Sequence, residues 1–372
     1  MSPNENQHAT AKRYSRTKLI LGIASSLLSF VVVLLIVLSG VSLALGRAAN
    51  SLSGNEYGAL LLFLVMIGAI ESVVTLPMSF ASSYIIEHKY HLSNQTLGRW
   101  AWEKTKGLLV GGVFGAIVAC VLWYCLTTYG AMWWFPVSIV LTFFSIVLAR
   151  IVPTFIMPLF YKFTPIENGS LKDRIVRLCS AAGVHITGIF SFNMSKNTRK
   201  ANAGFTGIGK SKRIILGDTL MNEFTEEEIE TVFAHELGHY KHKHIIIGIL
   251  VGIVSTFVGL YITARVYSIS LPWFGFSSIT ELGALPLLGL WLSIFGLATS
   301  PLGNMLSRKH EREADRYAVA TTKNRNAFVS ALRKLAGTNL ADPDPHPLVE
   351  FLFYSHPSIA RRIALIDSVP HE

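Results

Sequence analysis

Residues 231–259 read TVFAHELGHYKHKHIIIGILVGIVSTFVG. The first half carries four histidines and a glutamate, and the second has no charge from Ile245 onward. His235-Glu236-Leu237-Gly238-His239 is an H-E-x-x-H pattern. On a helix, positions i and i+4 lie one turn apart on one face, so two imidazoles there can grip one Zn²⁺ at about 2.0–2.1 Å each. Glu236 is offset from both rings and aims at a metal-bound water instead of the metal. Zinc lowers that water's pKa to about 7, and a carboxylate beside it can take the proton. The pattern is short enough to arise by chance among surface histidines, and the context it requires is a helix. Thr225-Glu226-Glu227-Glu228 supplies the start of one: a capping box with Thr225 as N-cap and Glu228 returning the bond. His242 and His244 are read as interface residues or supports of the ligating pair, not as additional ligands.

The apolar half decides the fold class. A bilayer core needs about 20 apolar residues in a helix, and six segments reach that length: 18–46, 57–86, 107–129, 132–158, 244–268 and 282–306. The whole chain of 372 residues agrees, being 51% hydrophobic and 15% charged, with a mean hydropathy of +0.44. A soluble domain carries about 25% charged residues. The first run exceeds the roughly 7–15-residue core of a cleavable signal peptide, so it reads as a retained span behind a basic leader. The reading is an α-helical polytopic membrane protein with five parts: a leader, 1–17; spans one to four, 18–158, with a loop at 87–106; a soluble segment, 159–243; spans five and six, 244–306; and a C-terminal segment, 307–372.

An even span count puts the leader, 87–106, 159–243 and the C-terminal segment on one side. They hold nearly all the Lys and Arg, whereas the opposite loops hold only Arg47. The positive-inside rule makes the basic side cytoplasmic. That accounts for a net charge of +10 without a nucleic-acid partner, and none is expected. Glu71 and Arg150 fall within apolar runs and are expected to pair between helices or line a polar cavity; Arg150 can also snorkel from a span end. Cys120, Cys125 and Cys179 have no metal-type spacing and are odd in number, so they read as small buried hydrophobes.

Within 159–243, Leu171, Ile175, Leu178, Cys179 and Ala182 recur at helical spacing, closed by Gly183. The runs TGIFSFN, ANAGFTG and KRIILG then suggest a small antiparallel meander. Two histidines leave a catalytic zinc one protein ligand short. Position 245 is Ile, so no histidine follows at the compact spacing, and SRKHEREADRYAVA (307–320) is the source at hand. Glu311, Glu313 and Asp315 follow span six at the depth where His239 precedes span five. Glu311 and Asp315 share a helix face, so one can ligate while the other orients a ligating histidine; a solvated charged face is the alternative.

HELGH followed by EREAD resembles the integral-membrane zinc proteases of the type I CaaX prenyl endopeptidase family. The similarity continues in IEHKYHLSNQTLGRW, PTFIMPLFYKFTPIENGSL, NAGFTGIGKSKRIILGDTL and HPSIARRIALI, in the family's order, over roughly 85–368. The resemblance implies about six transmembrane helices around a chamber, with a small cytoplasmic α+β zincin-like domain. It implies one Zn²⁺ per chain, bound by His235, His239 and Glu311, with Glu236 as general base and Asp315 in support. Asn202, Ala203, Gly204 and Phe205 would form an edge strand that takes an extended peptide by backbone pairing. His356, otherwise a loop histidine before a proline at a helix start, would donate to the oxyanion, and Arg362 would support the site.

The implied substrate is a peptide or protein cut near its C-terminus at the lipid membrane, prenylated or only membrane-associated. Three departures suggest a prokaryotic-type relative whose substrate need not be prenylated: Gly204 where the family has an aromatic residue, six spans where eukaryotic members have seven, and His-Pro-Ser for His-Pro-Pro. Localisation follows as a bacterial inner membrane or the endoplasmic reticulum. The competing readings are an HtpX-like quality-control protease, which has fewer spans before its H-E-x-x-H, and a non-catalytic zinc-stabilised scaffold. A site-2-type protease needs an aspartate ligand in a later span, and spans five and six have none.

Overall fold

Among the described residues six helices are long and apolar enough to cross a membrane, and a four-stranded sheet with flanking helices sits at their basic end. The computed structural model describes residues 3–206 and 213–369. In order, the membrane part begins with α1 (Pro3–Leu38), α2 (Val41–Leu52), α3 (Glu56–Phe80), α4 (Leu97–Tyr129) and α5 (Trp134–Ile151). Wide π turns, Ala81–Ile85 and Val152–Ile156, prolong α3 and α5 into the basic end.

Two sequence boundaries are corrected here. The leader 1–17 and the span 18–46 are not separate units: one helix runs from Pro3 to Leu38 and stops at Gly40, whose φ of 73° is a left-handed turn that glycine adopts without strain. The leader is ordered because Tyr14 is buried. It donates to Glu87 at 2.7 Å and accepts from Lys200 Nζ at 2.8 Å. Glu71 of α3 accepts a hydrogen bond from Ser29 of α1, so it pairs two neighbouring spans. Arg150 is exposed in the last turn of α5.

The soluble part contains β1 (Phe163–Pro165), α6 (Ser170–Ala181), β2 (Gly188–Phe192), β3 (Ala203–Thr206), β4 (Arg213–Gly217), α7 (Asp218–Glu223) and α8 (Glu226–Lys241). The sheet order is β1-β2-β4-β3, with β2 and β4 parallel and the other pairs antiparallel. The expected antiparallel meander is therefore wrong. The connection after β2 does not turn back, because it is tied elsewhere: Arg199 N donates to Leu92 O at 3.0 Å and Asn94 N to Asn197 O at 3.1 Å. The chain is carried outward, β3 takes the edge, and β4 fills the gap as a crossover requires. Part of KRIILG and the end of ANAGFTG lie outside the described residues.

Next come α9 (His244–Ser270), α10 (Leu285–Thr322), α11 (Arg325–Asn339), α12 (Pro347–Phe353) and α13 (Ile359–Ser368). The boundary expected at 307 falls inside α10, so Glu311 rides on the same rod as the sixth span. Packing concentrates at two levels. Phe63, Leu126, Trp133 and Tyr267 anchor a cluster at the far ends of the spans, and Ile175, Ile214, Phe233 and Phe328 anchor the soluble core. Between them the span Trp134–Phe160 buries none of its most apolar stretch. A Cβ added at Gly111, Gly115, Gly248 or Gly252 would meet nothing within 4 Å. Helices joined at their ends and standing apart between them give the chamber architecture.

α8 crosses α10 with almost no room. A Cβ at Gly238 would lie 3.0 Å from Ala314 Cα and 3.2 Å from its carbonyl oxygen, both backbone atoms. Overpacking of a tight contact costs about 1–3 kcal/mol. Gly238→Ala is expected to lower thermal stability by that order and to reduce bound metal, measured by unfolding and by elemental analysis of the same preparation.

Candidate metal centre

The helix that carries both histidines is fixed at its start. Thr225 N donates to Glu228 Oε2 at 2.9 Å and Glu228 N donates to Thr225 Oγ1 at 3.3 Å, the reciprocal capping box. The buried Glu228 carboxylate also accepts from Ser330 Oγ at 2.6 Å and Lys334 Nζ at 2.7 Å, binding α8 to α11.

About two turns beyond Glu228, His235 Nε2 and His239 Nε2 lie 3.2 Å apart. Glu311 Oε2 is 3.4 Å from His235 Nε2, and Glu311 Oε1 is 3.2 Å from His239 Nε2. A tetrahedral ion with ligands at about 2.0–2.1 Å needs its ligand atoms about 3.3–3.4 Å apart, close to all three separations. Glu311 Oε2 is also buried without a well-directed hydrogen bond, an orphan that a cation would satisfy. The residues present fit a metal ion. Among the described residues no other group of His, Cys, Asp and Glu gathers closely enough to hold one. Cys179 is a buried thiol, pushed by burial up to about 11.

Asp315, one turn beyond Glu311, accepts from His235 Nδ1 at 2.9 Å. Arg362 of α13 grips the same carboxylate with both arms, Nε to Oδ2 at 2.9 Å and Nη2 to Oδ1 at 2.6 Å. With the Nδ1 proton held by Asp315, His235 turns its Nε2 lone pair inward. Burial disfavours charge on His235, but the hydrogen bonds to Asp315 and Glu311 outweigh it and raise its pKa to about 9.

Glu236 is half-buried, and among the described residues its carboxylate makes no hydrogen bond. It lines a cavity of about 610 Å³ together with His235, Glu311, His356, Arg362, Asn202 and Ala203. His356 Nδ1 lies 3.0 Å from Glu311 Oε2 on a side chain that is 64% exposed. Gly204 and Phe205 are not in the cavity wall; Phe205 packs on Tyr240 at 5.4 Å. A Cβ at Gly204 would meet only Ile215 Cγ1, at 3.8 Å, so sterics do not demand glycine there.

Three positioning residues were not singled out from sequence. Buried Arg308 donates to the carbonyls of Glu350 at 2.8 Å and Tyr354 at 2.5 Å, and Asn304 donates to Leu352 O at 2.8 Å. Together they satisfy the open C-terminal end of α12 and fix the turn that carries His356. Asn339 binds both backbone groups of Ala201, at 3.0 and 3.3 Å, just before β3. In sequence Arg308 is one of several basic residues after span six, and its burial depends on carbonyls 42 and 46 residues further on. His244, read as interface or support, is buried against His239 with Nδ1 to Nδ1 at 3.0 Å.

Residues 165–369 match the model of peptidase family M48, and residues 2–162 that of the CAAX prenyl protease N-terminal region, described as five membrane helices. Within 2–162 the structure has α1 to α5, of which α2 is only 12 residues long. The chain is 31% identical over 367 residues to the uncharacterized metalloprotease YhfN of Bacillus subtilis, covering 98% of this chain and 85% of that one. It is 30% identical over 332 residues to CAAX prenyl protease 1 of Saccharomyces cerevisiae, covering 83% and 72%. The crystal structure of S. mikatae Ste24p superposes with a TM-score of 0.87 at 27% identity, covering 97% of this chain and 89% of that chain.

A ligand imidazole must be neutral, so a metal ion held by His235 would displace its proton. Apparent metal affinity is expected to rise by up to about tenfold per pH unit towards pH 9 and then flatten, measured by chelator competition. The metal-free protein should show the opposite sign. A folded-state pKa raised from 6.5 to about 9 gives stability that is full below pH 6.5 and lost as pH rises through 9.

Proposed function

The chain belongs to peptidase family M48 and is a membrane metalloendopeptidase; on that premise we propose that it holds one Zn²⁺ through His235, His239 and Glu311 and cuts membrane-presented substrates near their C-termini. One observation carries the reading: a ligand atom from each of these residues lies within 4.8 Å of the others, on the wall of a cavity that also holds an unbonded glutamate. Two nitrogens and one oxygen, without thiolate, suit a catalytic zinc that keeps a position open.

Zinc, when bound, polarises the scissile carbonyl and makes water acidic. Glu236 accepts the proton and passes it to the leaving nitrogen, a role that needs a carboxylate unencumbered by other bonds. Asp315 and Arg362 keep His235 in the tautomer that presents Nε2. His356, mostly exposed on a turn fixed by Arg308, swings to donate a hydrogen bond to the developing oxyanion. An extended substrate pairs with the outer edge of β3, entering at Asn202 and Ala203 on the cavity wall, which sets the scissile bond against Glu236.

The cavity wall reaches Tyr14, Lys18 and Leu19 of α1, so it opens at the base of the first span. A substrate held in the bilayer by a lipid or a hydrophobic segment can reach it without leaving the membrane. Relatives named CAAX prenyl proteases and the match of residues 2–162 favour a prenylated C-terminal peptide over the quality-control reading. The basic end of the spans is the cytoplasmic side by the positive-inside rule, which puts cleavage there. A scaffold that kept zinc only for stability would have no use for Glu236.

Glu236→Gln, purified in detergent beside wild type, should retain metal and lose about 10²–10⁴-fold in turnover of a farnesylated CaaX peptide. Undiminished cleavage by the variant would exclude the proposed base. Cleavage of an unfolded membrane protein alone would shift the substrate class to quality control.

A further inference from the structure

α8 ends at Lys241 and α9 begins at His244, and the break between them has a definite shape. Lys243 sits at φ 57°, ψ 29°, a left-handed conformation that L side chains enter reluctantly. On an unbroken helix His239 and His244 would stand about 140° apart around the axis, facing different ways. The left-handed turn swings His244 back under His239, leaving the two Nδ1 atoms 3.0 Å apart. His244 is buried, its ring lies flat on His310 at 4.0 Å, and its Nε2 is 2.9 Å from Glu313 Oε2 on α10.

The tautomers follow from these contacts. His239 presents Nε2 to His235 and Glu311, so a neutral ring carries its proton on Nδ1. Two Nδ1 atoms can share a hydrogen bond only if one is bare, so His244 Nδ1 accepts. The proton of His244 then sits on Nε2 and is donated to the Glu313 carboxylate. We infer that His244 and Glu313 are a positioning pair for His239, fixing its ring plane and tautomer through an interposed imidazole as Asp315 does directly for His235. The two ligating histidines thus have separate carboxylate anchors, both on α10. Without His244 the Nδ1 edge of His239 would have no fixed partner, although β3 and the cavity wall do not include His244.

This rests on the proposed zinc site, so wild-type zinc binding is measured first. Full-length protein in detergent is titrated with Zn²⁺ against a chelator, and the visible spectrum of the Co²⁺-substituted protein reports ligand geometry. His244→Ala is expected to weaken zinc binding by about 10–100-fold. Glu313→Gln, at a side chain one-third exposed and so tolerant of change, should give a smaller loss and a shifted cobalt spectrum. The double variant should bind no more weakly than His244→Ala, because Glu313 acts only through His244. Wild-type affinity and an unchanged cobalt spectrum in Glu313→Gln would overturn the pairing, and so would losses that multiply in the double variant. If His244→Ala does not fold, Glu313→Gln decides alone by the same two readouts. Failure of the wild type to bind zinc would instead remove the metal site itself.

Discussion

The structure depends on the close crossing of α8 and α10. A carboxylate carried on the sixth span must meet two imidazoles carried on a helix outside the membrane, and hydrogen-bond-scale distances leave little tolerance. Gly238 against Ala314 sets the separation, with backbone atoms where a side chain would otherwise stand. Glu311 lies one turn before that contact and Asp315 one residue after it, so both project across the crossing towards His235. Because α10 is continuous from Leu285 to Thr322, a shift of the span moves the carboxylates with it. The histidines precede a break in the chain, so their helix can be set by the soluble core.

Burying so many charged groups needs compensation. Isolated ionised groups are expensive to take out of water, and removing one member of a buried pair strands the other. Here the two carboxylates, Glu311 and Asp315, face the guanidinium of Arg362 and the imidazoles of His235 and His239. Arg362 lies at the end of that network, on a helix capped by Ser358 and preceded by a turn that Arg308 holds. The arrangement makes the C-terminal helices part of the site without requiring them to touch substrate.

Much of this could be read from sequence where the signal is local. The H-E-x-x-H face, the capping box at Thr225 and the apolar runs each depend on spacing along one segment. Glu311 was reachable because a two-histidine site lacks a ligand and few acids sit at the right depth. What stayed hidden is non-local. The parallel β2–β4 pairing depends on a loop tied to Leu92 and Asn94, outside the segment that forms the sheet. The continuity of α1 through its basic leader depends on Tyr14 meeting Glu87. Arg308 looks like any other basic-side charge, because the carbonyls it binds lie 42 and 46 residues away. His244 lies at a spacing that places it away from His239 on any regular helix, and only the left-handed Lys243 reverses that.

The central claim is a single ion shared by helices on either side of the fifth span. Zinc-edge X-ray absorption on the detergent-purified chain tests it directly. One zinc per chain is expected, with two imidazole nitrogens and carboxylate oxygen at about 2.0–2.1 Å and no sulfur. Absence of zinc, sulfur in the coordination shell, or an unaltered spectrum in Glu311→Ala would contradict it.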